Sequence, residues 1–266
     1  MERPIHDETR KLLAWIHSNK AITAKHYRLR FKPEFTLQNA GIKLIRLVEK
    51  GYLHRSKAFL NSDSFFSLTD RALKELKEGG LVILSPAGRE PKVNVFEKEH
   101  DNRVVNIRIA FERAKLDHFL WLSDYEMRCG LTLEKKKALA RGKAVGLQSR
   151  KETAGNKSVP DGYFECRLKN KVWSFLLEYE HKAYSREKIT TKFNSLYRGF
   201  PEAIKLVVAA TPERTAFLKA AFGRFLSDPD DRAAWVFTDY PSLLDREALA
   251  AGWTNLDDYQ FPLFGQ

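Results

Sequence analysis

The sequence predicts a protein of mixed α and β structure, in the α+β or α/β class, that folds as two domains. The first 78 residues combine helical stripes of apolar residues with a short hairpin, whereas residues 159–238 alternate apolar strands and helices. A chain of 266 residues is also long enough for two domains that each bury a core. We place a first domain at 1–80, a linker at 81–98 and a second domain at 99–266.

The composition of the chain indicates which kind of partner the protein binds. The formal net charge is +12 while 43% of the residues are hydrophobic, which indicates a folded basic protein whose partner is a polyanion, with nucleic acid the leading candidate. The two cysteines, Cys129 and Cys166, are far apart and lack a metal-ligand pattern. This argues against a zinc site or a disulfide scaffold and favours a reducing cytoplasm. No apolar run reaches the roughly 18 residues of a membrane span, and no signal peptide is expected.

The first domain begins with three predicted helices. Their apolar residues recur at helical spacing over Asp7–Ser18, Thr23–Leu29 and the stretch from Thr36 to Gly51. Thr23 and Thr36 have the side chain that an N-cap needs, and glycine is the usual residue after a helix end.

Two short strands and a last helix complete this domain. The strands are Tyr52–Arg55 and Phe65–Leu68, and Thr69 caps a helix that runs to Glu78. This order of elements resembles winged helix-turn-helix DNA-binding domains, in which the third helix enters the major groove and the wing contacts the backbone. The resemblance implies DNA contacts from side chains of the third helix and the wing: Gln38, Asn39, Lys43, Arg46, Arg55 and Lys57. A winged helix that binds protein, or a solvated basic face, stays open as an alternative.

The middle of the chain is less regular. We expect a short strand at Leu81–Leu84 within the linker and an amphipathic helix over Asp101–Leu116. The stretch Lys135–Lys171 holds eleven Lys and Arg against three Asp and Glu. It predicts either a clamp on the DNA backbone or a solvated charge run.

The candidate catalytic residues of the second domain lie on a predicted hairpin, whose strands are Val159–Leu168 and Val172–Glu180. Strand side chains alternate, so Glu178 and Glu180 share a face, and Asp161 would lie near them if the strands pair. Clustered carboxylates raise one another's proton affinity, so they indicate a bound cation, a shared proton or a function.

A basic helix follows at Ser185–Tyr197, and three more elements complete the domain. They are a strand at Ala203–Ala209, a helix at Pro212–Leu226 and a strand at Ala234–Thr238. Two strands, a helix, a strand, a helix and a strand predict an α/β sheet domain.

The acids resemble the core of restriction-endonuclease-like (PD-(D/E)xK-type) domains, whose pattern is Asp…(Asp/Glu)-x-Lys. In that family the carboxylates hold a divalent metal and the lysine helps to activate water. Here Glu180 stands at the lysine position, so the resemblance implies that Lys192 reaches in from the helix or that the site has lost or changed its chemistry. Glu126 is a candidate fourth carboxylate. A hairpin edge with solvated acids is the plain alternative.

Taken whole, the chain resembles the replication-relaxation family of bacterial mobile elements. The matching segments are the N-terminal domain, "EHDNRVVNIRIAFERA", "WLSDYE", "VPDGYFE", "FLLEYE" and "KFNSLY". The resemblance implies a plasmid relaxase or DNA nickase, or an accessory DNA-binding protein. It also implies an active-site group of Asp161, Glu178, Glu180 and Lys192, with Mg²⁺ or Mn²⁺ on Asp161 and Glu178.

The partners that the resemblance implies are double-stranded DNA and other relaxosome or replication proteins, and a dimer stays open. Three classes of function therefore remain: a metal-dependent nickase, a catalytically inactive DNA-binding regulator, and a scaffold that recruits proteins.

Overall fold

The computed structural model describes residues 5–57, 63–80, 98–141, 143, 145, 159–182, 184–245 and 252–260. The fold is mixed α and β, as predicted. It divides into two compact units, Met1–Ile109 with Tyr125–Ser149, and Ala110–Asp124 with Arg150–Gln266. Among the described helices, none is long and apolar enough to cross a membrane. The predicted strand Leu81–Leu84 and most of the basic stretch before Asp161 lie outside the described residues.

The first unit combines helices with a three-stranded sheet. Its elements in chain order are α1 (Asp7–Ser18), β1 (Ala21–Thr23), α2 (Ala24–Phe31), α3 (Leu37–Glu49), β2 (Leu53–Lys57), β3 (Ser64–Leu68), α4 (Asp70–Glu78), most of α5 (Lys98–Arg113), most of α6 (Asp124–Arg128) and α7 (Leu133–Ala140). The strands pair antiparallel in the order β1-β3-β2. The four helices and the hairpin predicted for residues 7–78 are confirmed, with boundaries within two residues.

Three threonine caps fix where these helices begin. The hydroxyls of Thr23, Thr36 and Thr69 each accept a hydrogen bond from the amide three residues later, at 3.3, 3.1 and 3.2 Å. Each bond satisfies one of the amides that a helix start leaves without a partner. Gly51 follows the end of α3 at φ +74°, a conformation that favours glycine.

The core of the first unit joins the helices to one face of the small sheet. Leu13 of α1, Leu44 of α3 and Phe66 of β3 are almost completely buried in it. Val105 and Ile109 of α5 belong to the same core, although the sequence pattern had placed that helix in the second domain. Val105 and Ile109 therefore complete the core of the first unit, whereas Phe111 packs against Phe164 of the second unit.

The second unit is built on a six-stranded sheet. Its elements are the end of α5, β4 (Asp117–Ser123), β5 (Gly162–Leu168), β6 (Lys171–Glu180), α8 (Arg186–Gly199), β7 (Ile204–Ala209), α9 (Pro212–Phe222), α10 (Pro229–Ala233), β8 (Trp235–Asp239), α11 (Tyr240–Asp245) and β9 (Thr254–Asn255). The order is β4-β5-β6-β7-β8-β9. Strands β4, β5 and β6 pair antiparallel, β6, β7 and β8 pair parallel, and β9 pairs antiparallel with β8.

The strands and helices predicted after residue 159 are confirmed. The register of β4 against β5 shifts between Asp117 and Leu120, and β9 has two residues. Both outer strands of the sheet are therefore irregular or short.

The two faces of this sheet pack differently. On one face, Leu176 and Val207 form a core with Ile189 and Phe193 of α8 and with residues of α9. On the other face, the rings of Trp121, Phe164 and Phe175 stack, with centroids 5.4 and 4.9 Å apart. These three residues are direct cross-strand neighbours, and such aromatic pairs stabilise a sheet.

Gly162, the first residue of β5, leaves the space that the Trp121 ring occupies. A Cβ at Gly162 would lie 2.6 Å from Cη2 of Trp121. We expect Gly162→Ala to lower the free energy of unfolding by about 1–3 kcal/mol, because a rigid stacked ring would have to move. Urea denaturation followed by circular dichroism measures this change.

Gly199→Ala is the matched control, since a Cβ there meets nothing within 4 Å. Alanine is preferred over glycine in helices by up to about 1 kcal/mol, so this variant should be as stable as the parent or more stable. Equal stability of the two variants would contradict the packing argument.

Candidate functional site

Strand β6 presents two buried glutamates at its carboxyl end. Glu178 and Glu180 are 0% and 1% exposed, and in the parallel pairing they lie opposite Val207 and Ala209 of β7. Their side chains share the face of Leu176, against which α8 packs, because side chains on a strand alternate. The shared face predicted from the sequence is confirmed.

Lys192 of α8 reaches both carboxylates. Its Nζ lies 2.6 Å from Oε2 of Glu178 and 2.6 Å from Oε1 of Glu180, to which it donates a hydrogen bond. Ile189 and Phe193 anchor this helix in the core, and Lys192 directly precedes Phe193. The helix therefore brings Lys192 to the glutamates, which is the arrangement that one of the two alternatives requires.

Asp161 joins this cluster through the backbone of β6. Its Oδ2 accepts a hydrogen bond of 2.8 Å from the amide of Tyr179, the residue between the two glutamates. The proximity of Asp161 to the glutamates, expected from the hairpin, is confirmed. We call Asp161, Glu178, Glu180 and Lys192 the acidic cluster.

The environment shifts the protonation of two members. Burial, with a smaller contribution from the negative charge of Asp161, raises the pKa of Glu178 to about 8, against the opposing effect of Lys192. Burial alone would lower the pKa of Lys192, but the charges of Glu178, Asp161 and Glu180 outweigh it and raise that pKa. Within the described part of the chain, neither oxygen of Glu178 accepts a hydrogen bond of good geometry, and Oε2 is held by the ion pair with Lys192. A buried acceptor of this kind favours a proton or a cation close to it.

The donor atoms of the cluster are the hard oxygens that Mg²⁺ and Mn²⁺ prefer. Mg²⁺ is commonly bound through one or two carboxylates and keeps several waters. The carboxylates of Asp161 and Glu178 are therefore of the right chemical type and number for such a site. Among the residues that the structure describes, no group of three or more His, Cys, Asp or Glu is arranged to hold a metal ion. The ammonium group of Lys192 lies between the two glutamates instead.

The candidate fourth carboxylate, Glu126, belongs to the other unit. It lies in α6 of the first unit, 3% exposed, where its Oε1 accepts a hydrogen bond of 2.6 Å from Nζ of Lys136 in α7. The sequence placed it next to an apolar patch but held no sign of this lysine partner.

The residues proposed for DNA contacts are exposed. Gln38, Asn39, Lys43 and Arg46 line the outer side of α3, whose buried side holds Ala40, Leu44 and Leu47. Arg55 and Lys57 are exposed on β2, and Nε of Arg55 donates to Oγ of Ser64 at 3.0 Å. Leu37 and Ile42 of α3 are also exposed, by 50% and 41%, so the outer side of the helix carries apolar groups as well.

Arg214, in the first turn of α9, belongs to none of the motifs found in the sequence. Its Nη2 donates a hydrogen bond of 2.7 Å to the carbonyl of Lys182, two residues after Glu180. A signal for its position does exist in the order of strand, threonine cap and helix, because Thr211 starts α9 directly after β7. That order brings the first turn of α9 to the carboxyl end of the parallel strands.

No protein-family model, no curated protein and no solved structure matches this chain.

Glu178 should make stability depend on pH. Its pKa in the folded chain is about 8, above the ordinary value of 4.5, so between these values the folded state holds a proton that the unfolded state has released. The free energy of unfolding should therefore fall as pH rises through this window, by at most about 1.4 kcal/mol per pH unit. Urea denaturation with a chelator present measures this slope.

Glu178→Gln should remove this contribution from the slope, because the amide does not titrate. Glu202→Gln replaces an exposed glutamate of the same unit and should leave the parent slope unchanged. If parent and Glu178→Gln show the same slope between about pH 5 and pH 8, burial of this carboxyl does not govern its protonation.

Proposed function

We propose that this chain is a DNA-binding protein whose second unit contains a metal-dependent site that cleaves phosphodiester bonds, as in a relaxase or DNA nickase. The observation that carries the proposal is the acidic cluster, in which a helix delivers Lys192 to within 2.6 Å of two buried carboxylates beside Asp161. Three acids and a lysine are the residue types that metal-assisted phosphodiester hydrolysis needs. The second unit is then a restriction-endonuclease-like core with its lysine on α8.

The roles of the residues follow from their contacts. Asp161 and Glu178 would hold one Mg²⁺ or Mn²⁺, which, when bound, polarises a phosphoryl oxygen and lowers the pKa of water. The ammonium group of Lys192 donates hydrogen bonds, so it stabilises negative charge on the attacking or leaving oxygen. Glu180 accepts a hydrogen bond from Lys192 and orients it toward Glu178.

DNA is the proposed substrate because of charge and of the exposed side of α3. Residues 1–80 hold sixteen Lys and Arg against nine Asp and Glu, and polar side chains that can contact bases or phosphates line α3. We assign the first unit to the winged helix-turn-helix class, with β2 and β3 as the wing and α3 as the recognition helix. Both cysteines are free and buried, which fits a reducing cytoplasm.

A protein with both proposed activities would be a relaxosome or replication-initiation component of the replication-relaxation family. Other proteins of such an assembly would be its further partners.

A second candidate is a DNA-binding regulator without catalysis. The observation that favours it is the same ion pair, because Lys192 already compensates both glutamates without a metal. The acids would then be structural, and the first unit alone would carry the function.

A plasmid assay separates the two candidates. With Mg²⁺ or Mn²⁺, the parent should convert supercoiled plasmid to the open circle, and Asp161→Asn and Glu178→Gln should abolish this conversion because each removes a metal ligand. Lys192→Met should slow nicking about 10²–10³-fold, the usual cost of removing one donor that stabilises developing negative charge. Gel quantification of the open circle over time gives the rates.

Glu202→Gln, exposed and in the same unit, is the control and should nick at the parent rate. Failure of the parent to nick with either metal, while it still binds the plasmid, would overturn the nickase proposal and favour the regulator.

The DNA-binding surface is tested on α3. Lys43→Glu/Arg46→Glu should weaken binding by a few kcal/mol in total, because each good base contact is worth about 1–3 kcal/mol. Fluorescence anisotropy on a duplex selected from random sequences measures the affinity. For the parent with about six phosphate contacts, log affinity should fall with log salt at a slope near −5.

The matched control is Lys74→Glu/Lys77→Glu, which makes the same change in charge on the exposed side of α4. Equal affinities of the two double variants would show that net charge, and not α3, governs binding.

A further inference from the structure

Two arginines of the second unit converge on one aromatic ring. The guanidinium carbons of Arg186 in α8 and Arg214 in α9 lie 6.0 and 4.8 Å from the ring centroid of Phe217. Each contact is a favourable cation–π interaction, yet the two like charges repel one another. Within the described part of the chain, neither arginine forms an ion pair with a carboxylate. The pair thus concentrates positive charge without a direct ion pair to an acid of the described chain, although Glu187 and Glu213 lie in the same helical turns.

The hydrogen bonds place this pair at the carboxyl end of the parallel strands. Arg214 donates to the carbonyl of Lys182 at 2.7 Å, and the amide of Ala210 donates to the carbonyl of Glu180 at 2.9 Å. The first turn of α9 therefore lies against the chain that leaves the acidic cluster.

Helix α8 provides the second link between the arginines and the cluster. Arg186 is its first residue, and Lys192 follows six residues later, which is about 9 Å along the helix axis. Successive phosphates of one DNA strand are about 3.4 Å apart along the duplex axis and farther apart in an extended strand. The distance from Lys192 to Arg186 along the helix thus corresponds to the length of a few nucleotides of the strand at most.

This end of the sheet also suits an anion for reasons of backbone geometry. Both helices start here, with Ser185 and Thr211 as caps, and helix N-termini carry partial positive charge. In open α/β sheets, ligands bind outside the carboxyl ends of the strands. The exposed guanidinium of Arg186 can match a phosphate with two parallel hydrogen bonds. Nε of Arg214 is buried and its Nη2 donates to Lys182, so Arg214 contributes mainly its charge.

We propose that Arg186 and Arg214 form a binding site for the backbone phosphates of a nucleic-acid strand that passes the acidic cluster. This inference rests on the proposed function and adds where the strand lies in the second unit. The ligand class is a phosphodiester anion, bound without regard to base sequence. The site uses no residue of α3, where the contacts to duplex DNA are proposed. We therefore expect it to bind single strands as well.

The test measures binding of the full-length protein to a labelled single-stranded oligonucleotide by fluorescence anisotropy, with a chelator present so that no cleavage occurs. Arg186→Gln/Arg214→Gln should raise the Kd about tenfold or more, because the variant cannot pair with two of the phosphates. The slope of log affinity against log salt should become shallower by about 0.7 for each phosphate that is no longer neutralised.

The matched control is Arg198→Gln/Arg224→Gln. Arg198 is exposed in the last turn of α8, and the exposed Arg224 follows the end of α9 by two residues, so the control removes equal charge from the same unit. Its Kd should stay within about twofold of the parent, because screened charges far from the strand contribute little. Arg186→Lys/Arg214→Lys keeps the charge but not the paired hydrogen bonds, and its Kd should lie between those of the parent and the glutamine variant.

Each outcome decides something different. If the glutamine variant and the control bind alike, the arginine pair is not a phosphate site. If Arg214→Gln impairs folding by removing the bond to Lys182, the exposed Arg186→Gln alone should still raise the Kd severalfold, and an unchanged Kd would overturn the inference. If the parent binds neither the oligonucleotide nor duplex DNA, the proposed function itself fails.

Discussion

The second unit depends on one electrostatic constraint, which is that the side chains of Glu178 and Glu180 are buried on the same face of β6 and need a positive charge or a bound proton between them. Lys192 meets this need at 2.6 Å from each. Removing one partner of a buried pair typically costs about 3–5 kcal/mol, because the other charge is left without compensation. The contact therefore reinforces the position of α8 that the packing of Ile189 and Phe193 provides, and with it the position of Arg186 in the first turn of the helix.

The ion pair of Lys192 with the two glutamates is compatible with both candidate functions, catalysis and structural stabilisation. A lysine beside carboxylates serves catalysis when a metal shares the acids, and it serves stability when it compensates them alone. Neither buried oxygen of Glu178 accepts a hydrogen bond of good geometry from the described residues, and Oε2 is held only by the ion pair with Lys192. A purely structural pair would be expected to satisfy both oxygens, since a buried acceptor without a partner is destabilising. The unsatisfied carboxyl of Glu178 supports the catalytic proposal.

Much of this arrangement could be predicted from the sequence, because it follows from local rules. Threonine caps indicated the starts of α2, α3 and α4, and the alternation along β6 indicated the shared face of Glu178 and Glu180. What could not be predicted depends on tertiary packing. Three residues are too few for a periodic signal, so β1 was missed, and nothing local reveals that Lys136 is the partner of Glu126. Likewise, the hydrogen-bond acceptor of Arg214 is a carbonyl 32 positions earlier in the chain, so no local pattern reveals this contact.

The outer strands of the six-stranded sheet bear on how the protein behaves at high concentration. A regular edge strand exposes a row of amides and carbonyls that can pair with another molecule and seed aggregation. Here β4 has an interrupted register between Asp117 and Leu120, with His118 at φ +53°, and β9 has only two residues. Neither strand offers the straight, repeated hydrogen-bonding edge that intermolecular pairing requires. The central strands, which are the most apolar, are thereby shielded from edge-to-edge association.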